Sequence, residues 1–184
     1  MSGLKAGSRL FRIHRSDLPA LHFGSTTEVN RRQRWYAPDG SYGVCFLAQD
    51  AHVAFAETLL RDLSLDVVQE AEIAARSLAL INVTRPIQLA ALHGSALRAH
   101  GADASVVHGP YEVTWDWSRA VHEHPSEVDG ICYRARHDDS GLSVALFERA
   151  SCKVEVLQST NLLDGILSRE VAEWLERYGL GLTS

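Results

Sequence analysis

The chain lacks the signatures of several large classes of enzyme and of membrane protein. Its 184 residues contain no HExxH, no CxxC and no Cys/His pair at zinc spacing, so the common zinc sites have no support. GxGxxG, Walker-type GxxxxGK[ST] and GxSxG motifs are also missing, which argues against redox dinucleotide folds, P-loop enzymes and serine hydrolases. No apolar run approaches the ~20 residues that span a bilayer, and the N-terminus lacks the apolar core of a signal peptide.

The cysteine content argues against a disulfide framework. Cys45, Cys132 and Cys152 are far apart and odd in number, and two of them lie in apolar, strand-like stretches. Disulfides are typical of small secreted domains and rare in the cytosol. We therefore expect reduced, buried thiols in a cytoplasmic protein.

Charge of both signs is present but unevenly distributed. Residues 1–36 contain seven Lys/Arg and two acids, a net charge of +5, whereas the whole chain carries −5, so the remainder carries −10. A local cationic excess can hold an anion, but the negative total argues against general nucleic-acid binding. A nucleotide-sized anion is the predicted ligand.

The apolar periodicity predicts strands that often follow one another without a long helix between them. Strands are predicted at 10–14, 44–48, 77–83, 87–92, 131–134, 144–147 and 154–158, and helices at 50–62, 95–100, 111–123 and 168–178. This order favours an α+β fold over a doubly wound parallel one. The length predicts one domain, residues 8–184, after a flexible segment, residues 1–7.

Glu57 is the strongest candidate for a chemical role. On the helix predicted to begin at Asp50 it lies on the apolar stripe with Val53 and Leu60. A carboxylate on a core-facing stripe is costly unless it is paired or used. The alternative is a peripheral ion pair with Arg61 at i+4, which the pattern supports equally well.

Two arginines in apolar or aromatic surroundings come next. Arg12 interrupts an apolar strand, where an inward guanidinium needs a carboxylate or phosphate partner and an outward one needs nothing. Arg34 precedes Trp35, which could give bidentate phosphate binding beside a stacking surface or a loop ion pair over a packed indole. Both interpretations remain open for each arginine.

The segment that begins at Tyr111 opens a helix behind Pro110. Its first turn offers free N–H groups and the hydroxyl of Thr114, so an anion could dock there, although capping alone also explains a threonine at this place. Nine histidines invite a metal hypothesis. However, His122 and His124 diverge at i, i+2 near a helix end, and no metal site is predicted.

Several ordered segments resemble the RES-domain proteins: FRIHR, RRQRWYAPDGSYGVCFLA, AFAET, GPYEVTWDWSRAVHEHP, DGICYRARHD and VALFERA. The resemblance covers at least residues 10–150. It implies a fold like that of ADP-ribosyltransferase toxins, with central mixed or antiparallel sheets flanked by helices. Characterised RES proteins are toxins of bacterial toxin–antitoxin pairs that consume NAD, including by phosphorolysis, and an Xre-type helix-turn-helix antitoxin neutralises them.

The resemblance also implies roles for particular residues. RES domains are named for an Arg, a Glu and a Ser, which fall on Arg12, Glu57 and, by its hydroxyl, Thr114. A second arginine of a GRW-like motif falls on Arg34. An alternative position for the Ser falls on Ala135, where the hydroxyl would be lost.

Two aromatic positions depart from the family pattern. Phe46 stands where a tyrosine is common, so stacking is kept and a hydroxyl is lost. Ile13 follows the first arginine, where a tyrosine sometimes stands. Phe46 and Trp35 are the predicted ring-packing residues of the site.

The implied chemistry is cleavage of the nicotinamide–ribose bond of NAD+ as substrate, without a cofactor. Phosphate is the expected acceptor, and the alternatives are water, which would make the protein an NAD+ glycohydrolase, and a protein side chain. Glu57 would stabilise the oxocarbenium-like transition state, and Arg12 and Arg34 would hold phosphate groups. An ADP-ribosyltransferase that acts on a macromolecule and a non-catalytic nucleotide-binding module are the alternatives. Homo-oligomerisation is compatible with the sequence.

Overall fold

A computed structural model describes residues 2–62, 64 and 66–184, which form an α+β structure. Its strands are β1 (Ser2–Leu4), β2 (Arg9–Arg15), β3 (Val44–Ala48), β4 (Val67–Gln69), β5 (Arg76–Val83), β6 (Ile87–Leu92), β7 (Gly130–Arg134), β8 (Leu142–Phe147), β9 (Val154–Asn161) and β10 (Gly181–Thr183). Its α-helices are α1 (Ala51–Leu59), α2 (Glu70–Ala74), α3 (Ser95–Ala99), α4 (Ser105–His108), α5 (Tyr111–His122) and α6 (Leu167–Arg177). Two 3₁₀ helices cover Val29–Arg31 and Glu148–Lys153.

Eight strands form one mixed sheet in the order β1-β6-β7-β8-β3-β2-β5-β9. β6 and β7 pair in parallel, and the other neighbours pair antiparallel. β10 and β4 pair separately in parallel. The mixed sheet with flanking helices confirms the α+β prediction.

Burial along the strands follows their place in the sheet. β5 alternates between buried and half-buried residues, as expected when one face is covered more than the other. β3 and β8 are buried at nearly every position because both of their faces are covered. This difference explains why the central strands read as continuous apolar runs in the sequence.

Three apolar clusters hold the layers together. One cluster joins the inner side chains of the sheet, such as Leu10, Ile81 and Leu146. Another packs α1 and α6 against the sheet, with the Phe55 and Trp174 ring centroids 5.5 Å apart. A third covers β3, β7 and β8 with Trp35, Val106 and their neighbours. Each large side chain buried in this way contributes about 1.5–3 kcal/mol relative to exposure.

The sheet is weakly joined between β2 and β3. β2 pairs with β5 at seven positions and β3 pairs with β8 at five, but β2 and β3 pair at Phe11–Ala48 alone. The two strands therefore diverge beyond this pair. Side chains of both strands line the cavity that opens beside α1.

Some predicted boundaries need correction. Ser2–Leu4 form edge strand β1 on β6, so residues 2–4 belong to the domain and not to a flexible segment; main-chain pairing, which has no side-chain signature, accounts for the difference. Met1 lies outside the described residues. α1 ends at Leu59 and not near Asp62 because Leu60 already leaves helical geometry. No helix in the described part of the chain is long and apolar enough to cross a bilayer.

Candidate active site

A cavity of about 430 Å³ lies where β2 and β3 diverge. Its lining includes six arginines and a single carboxylate: Arg12, Arg15, Arg34, Arg61, Arg76, Arg136 and Glu57. Arg15 and Arg76 are paired with Asp17 and Glu72. The remaining four arginines have no carboxylate partner among the described residues. This excess of positive charge favours the binding of an anion.

Glu57 projects from the last part of α1 into this cavity. Its Oε1 accepts a hydrogen bond of 2.8 Å from the main-chain N–H of His137. The surface pair with Arg61 is not formed, since Arg61 Nε donates to the Glu57 carbonyl oxygen at 3.1 Å. The carboxylate is thus held in place by the main chain, and Arg61 remains beside it as a cation.

Arg12 borders the cavity from β2. Its Nη1 donates to the carbonyl oxygen of His22 at 3.0 Å and to Cys45 Sγ at 2.7 Å. Burial raises the pKa of the Cys45 thiol, although Arg12 opposes the shift. Arg12 is therefore fixed by neutral partners, which leaves its charge available to a ligand.

Arg34 is 7% exposed, and its guanidinium lies 4.5 Å from the ring centroid of Tyr111. Nη1 donates to the carbonyl oxygen of Gly109 at 3.2 Å, whereas the buried Nη2 has no partner. Burial lowers the pKa of Arg34 below its usual range. A buried donor without a partner is costly, and a bound phosphate oxygen would satisfy it.

Two further polar side chains line the cavity beside Arg34 and were missed by sequence reasoning: Tyr133 on β7 and Ser143 on β8. Burial raises the pKa of Tyr133, which keeps the phenol protonated. Ser143 is 2% exposed, and its hydroxyl makes no hydrogen bond of good geometry, although it lies close enough to the Tyr133 phenol to oppose the rise in that pKa. Each lies in an apolar strand, where sequence offers no signal that separates a cavity-facing hydroxyl from a core one.

Two predicted binding residues lie outside the lining of the cavity. Trp35 is fully buried, and its ring packs on Tyr133 at a centroid distance of 5.2 Å. Thr114 is also fully buried, and its hydroxyl donates to the carbonyl oxygen of Tyr111 at 2.7 Å. In this structure Thr114 therefore fixes the first turn of α5, and Trp35 packs behind Tyr133, so neither side chain reaches the cavity.

Phe46 does line the cavity, as predicted, and forms an aromatic wall with Tyr36 at a centroid distance of 5.8 Å. Tyr111 adds a third ring at the edge, over Arg34. Burial raises the pKa of Tyr36. These rings offer flat apolar surfaces beside the cations, which suits a heterocycle attached to phosphate.

The residues 135–141 form a turn that carries His137 and Arg136 into the cavity. Asp138 Oδ2 accepts a hydrogen bond of 2.7 Å from the Tyr178 hydroxyl and lies 3.6 Å from His52 Nε2. Burial raises the pKa of Asp138, but hydrogen bonds from Ser140 and Tyr178 outweigh it and leave that pKa below its usual range. The turn is therefore anchored to both α1 and α6.

Within the described residues, no three His, Cys, Asp or Glu side chains cluster closely enough to hold a metal ion. The predicted Glu57, Arg12, Arg34 and Phe46 are brought together around one cavity. The arrangement can bind phosphate groups and a flat ring and can place one carboxylate beside them.

Comparisons with known proteins bear on the family and the fold of the chain. The model of the RES domain matches residues 9–163. A Sinorhizobium fredii protein named probable toxin y4kH is 33% identical over 111 residues, which are 60% of this chain and 85% of that protein. In the crystal structure of the M. tuberculosis MbcT–MbcA toxin–antitoxin complex, one chain superposes with a TM-score of 0.68 at 17% identity, over 87% of this chain and 86% of that chain.

Proposed function

This chain belongs to the RES-domain family, and from that premise we propose that it is a toxin enzyme that degrades NAD+. The bond cleaved joins nicotinamide to ribose, and phosphate is the acceptor. The observation that carries the proposal is the Glu57 carboxylate, held by the His137 N–H within a cavity rich in arginine.

The chemistry of the leaving group suits a site of this composition. The nicotinamide ring of NAD+ is cationic and departs as a neutral molecule, so no acid has to protonate it. Positive charge builds on the ribose during cleavage, and a fixed carboxylate stabilises that charge. Glu57 supplies this carboxylate without any need to reorganise.

The number of free cations supports phosphate as the acceptor. The pyrophosphate of NAD+ carries two negative charges, and inorganic phosphate adds up to two more. Four arginines without carboxylate partners, namely Arg12, Arg34, Arg61 and Arg136, would balance both groups. Phe46 and Tyr36 would pack on a ring of the substrate.

The names of similar proteins favour a toxin with a protein antagonist. The Sinorhizobium fredii relative is named a probable toxin, and the structural neighbour comes from a toxin–antitoxin complex. We propose a cognate Xre-type helix-turn-helix antitoxin as partner. A small helix-turn-helix protein encoded beside this chain, and its stable co-purification with the chain, would support this partnership.

The direct test is to incubate purified protein with NAD+, with and without phosphate, and to identify the products by mass spectrometry. ADP-ribose 1″-phosphate indicates phosphorolysis, and ADP-ribose indicates hydrolysis. We expect Glu57→Gln to lower turnover by about 10²–10³-fold, the range for loss of one transition-state electrostatic contact. Glu173→Gln is the matched control, because it makes the same change from carboxylate to amide at an exposed position of α6.

Intact NAD+ in both incubations with a folded wild-type protein would refute the proposal. Label transferred from NAD+ to a protein or nucleic acid, without free ADP-ribose products, would instead identify a macromolecular ADP-ribosyltransferase. Circular dichroism and melting temperature of each variant show whether lost activity reflects lost structure.

A further inference from the structure

The side chain of His137 has no role in the site as described so far, although its main chain contacts Glu57. Its main-chain N–H holds the Glu57 carboxylate at 2.8 Å, and its half-buried imidazole lines the same cavity. Within the described residues the imidazole makes no hydrogen bond. A ring with both nitrogens available, beside the candidate catalytic carboxylate, is in position to exchange a proton with a ligand.

The turn that carries His137 is rigid enough to aim this ring. Arg134 Nη1 donates to the carbonyl oxygens of Asp139 and Ser140, each at 3.0 Å. The Tyr178 hydroxyl holds Asp138 from α6. His137 is therefore placed by main-chain and neighbouring contacts, and its own side chain is left free.

The charges around His137 favour its neutral form. Burial is the main reason that the pKa of His137 lies below its usual value. Three nearby cations lower that pKa further: Arg136 in the same turn, Arg61 just after α1 and Arg34 in the loop before β3. Glu57 on α1 raises it. A neutral imidazole at neutral pH can accept a proton.

Phosphate and water make different demands on the site. A phosphate dianion brings its own negative charge and needs no base to attack the ribose. Water must lose a proton as its oxygen bonds to carbon. Glu57 is a poor choice for that proton, because protonation would remove the charge that stabilises the transition state.

We propose that His137 is a catalytic base that takes this proton when water, and not phosphate, is the acceptor. The proposal rests on the proposed cleavage of NAD+. The C1″–nitrogen bond breaks with its electron pair on nicotinamide, and the water oxygen bonds to C1″. The proton passes to the free imidazole nitrogen and then to solvent, so NAD+ and water give ADP-ribose, nicotinamide and one proton.

The two acceptors can be separated in one experiment because the contact to Glu57 uses the main chain. His137→Gln keeps the N–H that holds Glu57 and removes only the base. We expect ADP-ribose formation in phosphate-free buffer to fall by about 10²–10⁴-fold, the usual contribution of a general base. ADP-ribose 1″-phosphate formation in saturating phosphate should change by less than about fivefold, since that acceptor needs no base.

Two further measurements separate a base from a structural residue. Free imidazole should restore hydrolysis to His137→Ala, and the acid limb of the wild-type hydrolysis profile, below about pH 6.5, should disappear in His137→Gln. His100→Gln, an exposed histidine next to α3, is the matched control and should behave as wild type.

Different results would overturn the role of His137 and the cleavage of NAD+. Equal loss of both products in a folded His137→Gln, or loss of neither, overturns the role of His137. A wild type that forms the phosphate ester but no ADP-ribose without phosphate also overturns it, while NAD+ cleavage stands. NAD+ left intact under all conditions overturns both.

Discussion

At the scale of single residues, some polar groups of the site have hydrogen-bond partners in the protein and others have none. Glu57 and Arg12 are held by protein atoms, whereas Arg34 Nη2 and Ser143 Oγ are buried without partners. Buried polar groups of this kind cost about 1–3 kcal/mol each. A ligand that supplies the missing partner would relieve this cost.

Ser143→Ala should therefore affect stability and binding in opposite directions. Removal of a hydroxyl that is buried without a partner should raise the melting temperature of the free protein by a few degrees. The reason is that the desolvation of this hydroxyl on folding, which costs about 1 kcal/mol, no longer occurs. The same change should reduce the stabilisation by NAD+, because a ligand contact is lost. Differential scanning fluorimetry with and without NAD+ measures both effects.

Ser25→Ala serves as the comparison, since Ser25 is exposed and lies outside the lining of the cavity. A lower melting temperature for Ser143→Ala, or an unchanged shift with NAD+, would contradict this account of Ser143.

Four lining residues could be predicted from the sequence, namely Glu57, Arg12, Arg34 and Phe46. The other lining residues could not, for two physical reasons. Glu57, Arg12 and Arg34 are charged groups in apolar or aromatic surroundings, which is a rare pattern. Trp35 and Thr114 are polar or amphipathic groups next to site residues, and a linear sequence does not tell which face they occupy. Tyr133 and Ser143 come to the cavity through the register of β7 and β8, in which they are paired, and His137 comes to it through the turn between these strands.

At the scale of elements, the turn 135–141 links chemistry to packing. It carries His137 and Arg136, and it is anchored between α1 and α6 through Asp138. Its last residue, Gly141, lies directly against Val53 of α1. The distance between the turn and α1 therefore fixes the contact between His137 and Glu57.

Gly141→Ala should loosen the site without touching a lining residue. A Cβ at Gly141 would overlap the buried methyl groups of Val53, so the turn must move away from α1. We expect a loss of about 1–3 kcal/mol in the free energy of unfolding, as for other overpacked sites. Activity should also fall, because the His137 N–H would withdraw from Glu57.

Chemical denaturation and turnover of NAD+ measure the two effects. Gly3→Ala is a suitable control, because a Cβ there meets only the carbonyl oxygen of Ile87 at 3.6 Å. Wild-type stability and turnover in Gly141→Ala would show that the turn does not set the position of Glu57.

Most long elements could be predicted from the sequence, and the short ones could not. β3, β6 and α5 have clear apolar periodicity or a proline start, and they agree with prediction to within a residue or two. β1, β4 and β10 contain three residues each and exist through pairing with distant segments. Local propensity carries no information on such pairing.

At the scale of the whole molecule, the ordered motifs predicted the family, and the match over residues 9–163 confirms it. Their spacing reflects how loops and strands far apart in sequence meet around one cavity. The mixed sheet is also confirmed. The acceptor and the antitoxin depend on surfaces that no linear motif describes, and both stay predictions.

The stability of the whole chain should depend on pH through His122. This ring stacks on Tyr42 at a centroid distance of 3.8 Å, and burial, with Arg149 nearby, lowers its pKa to about 4. Between about pH 6.5 and 4 the unfolded chain binds a proton at His122 that the folded chain does not. The free energy of unfolding should therefore decrease as pH falls through this range.

His122→Phe keeps the stacked ring and removes the titration. Urea denaturation at pH 7 and pH 5 should show a smaller difference in unfolding free energy for this variant than for the wild type. His124→Phe, two residues further on and exposed, controls for general loss of a histidine. An equal pH dependence in wild type and His122→Phe would assign the effect to other groups.

The single pair Phe11–Ala48 between β2 and β3 has a mechanical consequence. It divides the sheet into two halves that are joined at one position, with Arg12 on β2 in one half and Phe46 on β3 in the other. A ligand that contacts both residues would link the two halves, so part of its binding free energy would reduce their motion relative to each other. The main-chain amides of β2 and β3 beyond the pair would then exchange hydrogen with solvent more slowly when NAD+ is bound.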